Sequence, residues 1–318
     1  MLRFLLPLLV LAVIAPVQAQ SPRDMVILPW QAGTHFAETL DDLYITANGH
    51  TRGTDLDTSI FYWNSYGRIR LNRHNPDPQV MIGYQILALS VSSDLQAING
   101  DFFDLALAGG YKFDECDNGW RFSVIGGLGT ANDNHFRNSD SLYGLATVNA
   151  AKTLDEKSAL NLGLQYDGNR VVFPDIPLPY GMYTRRANDQ LFYGVGFPVN
   201  FIRWHPLPAL GLRLSYTIPA GLGADVAFWL RKNICLFIAY DESTDAFHIN
   251  NQDNRRLFYQ TRRGTAGLRL ITKWADLSLG AGYAFDQKFR SGFDLRDTTN
   301  VARLSDEPFL ALKIRGTF

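Results

Sequence analysis

The sequence predicts an all-β protein: a transmembrane, antiparallel, up-and-down β-barrel of 12–14 strands. Three observations predict it. Apolar and polar residues alternate with period two from about residue 55 to the end, many of the alternating runs reach ten residues or more, and the chain closes on an amphipathic strand with a terminal aromatic residue. Alternation at 180° per residue is the signature of a strand with two unlike faces. Strands of soluble sheets are mostly about 5–6 residues long, whereas a tilted strand crossing a bilayer needs about 9–11.

From the N-terminus, Met1 to Ala19 reads as an export leader. Arg3 supplies the positive start, Leu5 to Ile14 the apolar centre, and Val17-Gln18-Ala19 the small-residue cleavage pattern. Pro16 interrupts a run already too short to span about 30 Å of hydrocarbon as a helix. No later stretch approaches the ~20 apolar residues of a membrane helix; the longest, such as Ile234 to Tyr240, fall far short. The expected organisation is a signal peptide over 1–19, a periplasmic segment or first strand over 20–54, and an outer-membrane barrel over 55–318. The expected location is the outer membrane of a Gram-negative bacterium.

The alternating runs are explicit. Trp120, Phe122, Val124 and Leu128 share one face, against Arg121, Ser123 and Gly127. Leu160, Leu162, Leu164 and Tyr166 oppose Asn161, Gly163, Gln165 and Asp167. Leu222, Ala224, Val226, Phe228 and Leu230 alternate with Gly223, Asp225 and Ala227, and Leu277, Leu279, Ala281, Tyr283 and Phe285 with Ser278, Gly280, Gly282 and Ala284. The polar faces are rich in glycine and small residues, which suits a lumen wall better than a sandwich core. Thirteen candidate strands emerge, at 57–71, 79–91, 102–113, 119–130, 141–152, 158–168, 190–203, 209–218, 221–231, 233–241, 259–273, 274–286 and 308–318. Single-chain bacterial barrels have even strand numbers, so 39–47 supplies a fourteenth, or the proline-interrupted region loses one to leave twelve.

The closing strand, Glu307 to Phe318, puts Leu310, Leu312, Ile314 and Phe318 on one face and Lys313, Arg315 and Thr317 on the other. It resembles the C-terminal signature by which barrel-assembly machinery takes up outer-membrane clients, except that Gly316 stands where a bulkier apolar residue is usual. With Phe318 at the inner rim, connections alternate between short inner turns and longer outer loops. The segment Glu242 to Phe258 then reads as a long polar outer loop, as does about 287–307. The same scheme places Trp120, Trp204, Trp274 and Phe318 near the inner membrane interface, and Tyr166, Tyr240 and Tyr283 near the outer one.

Composition excludes other classes. With 46% hydrophobic residues, the chain has enough apolar surface to order itself, and a formal net charge of -1 gives no electrostatic case for nucleic acid. Two cysteines, Cys116 and Cys235, build neither a disulfide framework nor a four-thiolate metal site. The six histidines show no metal-ligand spacing, and no cofactor motif is present. The expected partners are outer-membrane lipid, the assembly machinery, and small solutes.

The stretch from Phe173 through Pro174, Pro177 and Pro179 to Gly181, with Gly196-Phe197-Pro198 and the closing strand, resembles a family of bacterial outer-membrane barrels known only as a domain of unknown function. The resemblance covers about Asp55 to Phe318, implies a barrel, and brings no activity with it.

By phase, Arg68, Arg70, Arg213, Arg263, Arg269, Lys313 and Arg315 project into the lumen, against Asp104, Asp225 and Asp276. If 57–71 is a first or near-first strand, closure brings Arg68 and Arg70 towards Lys313 and Arg315. Basic rings favour anions in a narrow pore. The expected function is therefore a passive channel or small-solute uptake protein, with anions a candidate cargo. The alternatives are a closed structural or adhesive barrel whose outer loops meet a partner, and an outer-membrane hydrolase built on Asp133 with His135 or Asp245 with His248. No catalytic residue is assigned. The proline-rich stretch Val171 to Pro208 carries six prolines, of which the first three, Pro174, Pro177 and Pro179, read as an outer loop or one folded into the lumen, able to constrict it.

Overall fold

A computed structural model describes residues 36–71, 79–136, 139–218, 221–250 and 255–318. The leader at 1–19 lies outside the described residues. The strands are β1 (Ala37–Thr46), β2 (Gly49–His50), β3 (Asp57–Arg70), β4 (Val80–Ser93), β5 (Gly100–Lys112) and β6 (Trp120–Asn132). There follow β7 (Leu142–Asp155), β8 (Ser158–Asp167), β9 (Leu178–Arg186), β10 (Leu191–Phe197), β11 (Val199–Leu207) and β12 (Leu210–Thr217). The last are β13 (Gly221–Arg231), β14 (Ile234–His248), β15 (Arg256–Ile271), β16 (Ala275–Gly292), β17 (Thr299–Arg303) and β18 (Glu307–Thr317). All but β2 and β17 form a closed ring of sixteen antiparallel strands, sealed where β1 pairs with both β3 and β18. The two short strands extend the outer ends of β3 and β16.

Lipid explains why the ring must close. The residues pointing away from the lumen form an apolar belt, with Leu128 74% and Ile238 67% exposed and Leu107, Val195, Leu279 and Leu310 alongside. A patch of that extent is far beyond the few hundred Å² that soluble monomers expose. In hydrocarbon an unpaired strand edge costs several kcal/mol per polar group, so every backbone N–H and C=O finds a neighbour only in a closed barrel.

Sixteen strands replace the expected twelve to fourteen, for two reasons. Pro179, read as part of an outer loop, lies in β9, and the segment read as 190–203 divides at Pro198 into β10 and β11. Pro198 lacks an N–H and so interrupts the ladder where the chain reverses. The wall includes β1 from Ala37, so of the two expectations for 20–54 the structure shows a first strand within it and the ring starts before residue 55. Sequence offered it only as an optional fourteenth strand at 39–47, because Glu38, Leu40, Asp42 and Tyr44, a mixed set, share the inward face.

Glycine on the inward face has a steric purpose. A Cβ at Gly129 would meet the Tyr143 ring, one at Gly163 the Tyr180 ring, and one at Gly194 the Phe201 ring. Each aromatic side chain lies across the bare backbone of the adjacent strand. These rings line the wall instead of projecting into the lumen.

Candidate functional site

The outer mouth is crossed by the barrel's own wall. β14 runs beyond β13, paired with β15, which β16 accompanies in turn, and the end of β14 reaches the opposite side, where His248 pairs with Asn132 of β6. Along the ring β14 and β6 stand eight strands apart in either direction. A sixteen-stranded ring would hold such strands about 30 Å apart at a strand spacing of 4.8 Å and ordinary tilt. The Asp241–Arg263 part of the hairpin therefore folds inward over the lumen. Most of the segment read as the polar loop 242–258 is strand in this cap. Apolar alternation was absent there because protein, not lipid, covers both faces.

A lumen-side core holds the cap down. Phe247 and Tyr259 of the hairpin are fully buried among Leu87, Leu89, Val91 and Phe102 of β4 and β5 and Tyr44 and Ile60 of β1 and β3. The Phe247 and Phe102 rings are 5.4 Å apart. Burying such a side chain contributes about 1.5–3 kcal/mol. On the upper face, Val171 of the β8–β9 loop packs against Ala246 and Phe258. So the Val171 region does touch the obstruction, from outside.

Polar contacts lock the same place. The fully buried Asn169 amide donates to Asp104 Oδ2 at 3.2 Å and to the Ala246 carbonyl at 3.0 Å, and its Oδ1 accepts from Arg256 Nη1 at 3.2 Å. Tyr143 donates to Asp104 Oδ1 at 2.5 Å. The Asn250 N–H donates to Asp133 Oδ2 at 2.9 Å. His248 lies in the cap, beyond the membrane belt. Burial and then the neighbouring Arg256 push its imidazole down to about 4, with Asp140 opposing. In the adjoining loop Asp294 is held below the usual carboxylate range: burial would raise it, but hydrogen bonds from the Arg296 side chain and the Arg296 and Phe173 N–H groups outweigh that.

Below the cap, β1 stands between the two basic stretches expected to meet at closure. Glu38 takes Arg68 at 2.8 Å, and Asp42 takes Arg263 at 2.9 Å and Lys313 at 3.5 Å. Lys313 also reaches Asp241 at 3.1 Å. The Arg263 guanidinium sits 4.4 Å from the centre of the Tyr44 ring, which stacks on Tyr62. Glu38, Asp42 and Asp241 were missed by sequence reasoning; the first two lie on β1, which sequence offered only as an optional strand at 39–47 without a phase, the third at the edge of the segment taken as loop. Once β1 is placed, its phase finds Glu38 and Asp42.

The inner half differs in charge. Arg203 and Arg213 face each other in register on β11 and β12, and Arg213 faces Asp225 on β13. Arg269 holds Asp225 through both guanidinium nitrogens, at 2.8 and 3.3 Å, donates to Ser278 at 3.0 Å, and lies over the Phe237 ring. Asp276 and Arg315 are register partners on β16 and β18. Arg213 interacts electrostatically with Asp225, Arg269, Arg315 and Asp276 together, so these groups share one space. Among the described residues, four guanidinium groups and two carboxylates meet there. Arg70, Lys112 and Arg121 add positive charge near the inner rim, where Arg121 pairs with Glu115. Arg203, Lys112 and Arg121 had not been singled out by sequence. The phase of Arg203 becomes readable only after Pro198 divides its strand.

All ten expected lumen charges sit on the inward face, but they form two groups: Arg68, Arg263, Lys313 and Asp104 in networks above, Arg213, Arg269, Arg315, Asp225 and Asp276 below, with Arg70 by the inner rim. Of the aromatic residues, Trp120, Trp204, Trp274 and Phe318 lie outward at the inner ends of their strands or beside them, and Tyr166, Tyr240 and Tyr283 outward and higher. Tyr111, Phe113 and Phe122 extend the inner set. Asp245 and His248 fall on opposite faces of β14 and do not converge, whereas Asp133 and His135 meet at 3.1 Å in an exposed loop. Cys116 is exposed and Cys235 buried, both as thiols.

No family model matches the sequence, and no curated protein matches it. Among solved structures, the chain is similar to an outer membrane channel from Pseudomonas putida F1 at 14% identity, covering 94% of this chain and 99% of that one with a TM-score of 0.35. It is similar to a FadL homologue of Pseudomonas aeruginosa at 11% identity, with 95% of each chain covered and a TM-score of 0.37. A bacterial polysaccharide outer membrane secretin matches at 8% identity over 90% of this chain and 99% of that one, with a TM-score of 0.41.

Proposed function

We propose that this barrel is an outer-membrane channel for small solutes with a preference for anions, its outer mouth capped in the closed state. One observation carries the reading. On the β8–β13 side, inward residues such as Gln165, Met182, Val199, Arg203, Arg213 and Asp225 keep partial access to solvent, and among the described residues basic side chains outnumber acidic ones there once Arg269, Arg315 and Asp276 are included. An enclosed wall with excess guanidinium charge attracts anions and repels cations. The β1–β5 side is packed solid in its outer half, which narrows the conduit to the other sector.

Planar-bilayer recording of the purified protein tests the reading. Intermittent conductance with a reversal potential on the anion side is expected under a salt gradient, moving towards the cation side in Arg203→Gln/Arg315→Gln. A cation-selective pore would contradict it. The crossing of the mouth by His248 favours a second reading, a permanently closed barrel with a structural or adhesive role. Silence that persists after the cap is loosened would select that reading.

A further inference from the structure

We infer that the inner rim between β13 and β16 binds the headgroup of an anionic phospholipid, with Arg231, Lys232 and Lys273 holding its phosphate. The inference is independent of conduction and rests only on the barrel lying in a membrane. Arg231 and Lys232 stand at the β13–β14 turn, Lys273 stands in the β15–β16 turn, and all three residues are exposed. The two turns abut, the Ile271 N–H donating to the Asn233 carbonyl at 2.8 Å. Among the described residues, none of the three cations pairs with a carboxylate. Asp276, the nearest acid along the chain to Lys273, projects into the lumen in register with Arg315. Phe318, beside Trp274, turns its carbonyl oxygen to the Phe36 and Ala37 N–H groups.

Position and charge both select the partner. The Lys273 ammonium lies 4.6 Å from the centre of the Trp274 ring, and Thr272 fixes that turn by accepting from the Ala275 N–H at 2.9 Å. An indole at a membrane interface sits at headgroup depth, so the ammonium over it is held at the level of lipid phosphates. On the membrane side of the turns, Leu230, Leu236, Leu270 and Leu277 face outward and exposed, a surface for acyl chains. A phospholipid lying along these leucines brings its phosphate to the turns, where Arg231 offers a fork and the lysines point charges. A zwitterionic headgroup would set its own ammonium against the three cations, whereas an anionic one does not. The far side of the rim has the opposite character. The turns at 113–119, 155–157 and 187–190 hold Asp114, Glu115, Asp117, Asp155, Glu156 and Asp189 with Lys157 as their one basic residue.

Native mass spectrometry of the full-length protein in nonionic detergent tests this, with phosphatidylglycerol and phosphatidylcholine of the same acyl chains as probes. Preferential retention of phosphatidylglycerol is expected. Lys273→Gln should weaken it by about fivefold, and Arg231→Gln/Lys232→Gln/Lys273→Gln should bring it to the level of phosphatidylcholine. Trp274→Leu, which keeps an apolar side chain and removes the ring beneath the ammonium, should weaken it by about twofold to fivefold. Lys157→Gln, an equal loss of charge on the acidic side of the rim, should leave retention unchanged. Retained β-sheet circular dichroism separates a lost site from a lost fold. Excess glycerol 3-phosphate should not displace the lipid, because it has no chains to lay on the leucines; displacement would reassign the site to soluble phosphate esters and overturn the inference. Equal retention of the two lipids, or equal losses in Lys273→Gln and Lys157→Gln, would overturn it as well.

Discussion

His248, near the tip of β14, pairs through its backbone with Asn132 of β6, on the diametrically opposite side of a sixteen-stranded ring. That single bridge means the wall has folded across its own mouth. The obstruction is a continuation of two barrel strands, so moving it requires bending the sheet as well as breaking side-chain contacts.

Loosening the lock should open the mouth. Asn169→Ala removes donors to Asp104 and the Ala246 carbonyl and the acceptor for Arg256, leaving buried polar groups behind. The closed arrangement should lose about 2–4 kcal/mol. Single-channel records of Asn169→Ala should show a markedly higher open fraction than the parent; an unchanged open fraction would remove Asn169 from the lock.

Acid should act in the same direction. Because the His248 imidazole in the closed cap titrates at about 4 instead of the usual 6.5, closure favours its neutral form. The open state binds the proton more readily, so closure is strongest above about pH 6.5 and weakens as pH falls towards 4, by about 1–3 kcal/mol in all. Arg256 disfavours that proton and Asp140 favours it. Conductance should rise between pH 6.5 and 4, and His248→Gln should flatten the profile. A profile unaltered by His248→Gln would assign the titration elsewhere.

Charge reversal should discriminate the two lumen halves. Lys313→Glu would set a third carboxylate against Asp42 and Asp241, now 3.5 and 3.1 Å from the ammonium. It should lower resistance to thermal unfolding in detergent, by about 3 kcal/mol. Arg315→Gln, in the half where positive charge is in excess, should be tolerated and alter ion preference instead. Equal stability in both variants would argue against the paired network.

The glycines offer a steric comparison. Gly163→Ala drives a methyl group into the Tyr180 ring and the Val148 carbonyl, and should cost about 1–3 kcal/mol. Gly126→Ala, on the lipid face with open space around it, should be neutral or slightly stabilising. Unfolding measured on the two variants checks the difference.

The barrel was legible wherever one face of a strand meets lipid and the other does not. Leu277, Leu279, Ala281 and Tyr283 announce β16, and Leu222 to Leu230 announce β13, because solvent contrast writes itself as period two. The cap was illegible for the same reason: at Glu242, Thr244, Ala246 and His248 the outward phase meets other protein, so no contrast exists to read. β1 was reached only as an optional fourteenth strand at 39–47, because its inward face is mixed; the prolines before Gly181 suggested a loop where β9 begins, and β10 and β11 read as the single strand 190–203. Inward phase located the ten charges, but not which of them are neutralised. Arg263 and Lys313 lost their apparent excess once Asp42 and Asp241 were placed beside them, whereas Arg203 gained its significance only after its strand was divided.

The most direct measurement joins the two paired positions covalently. Asn132→Cys with His248→Cys, in a chain carrying Cys116→Ser and Cys235→Ser, places two thiols on backbone-paired residues about 5 Å apart, within reach of a disulfide. Planar-bilayer recording of this protein should show silence when oxidised and anion-preferring openings when reduced. Failure to form the cross-link, or the same conductance in both states, would contradict a mouth closed by its own wall.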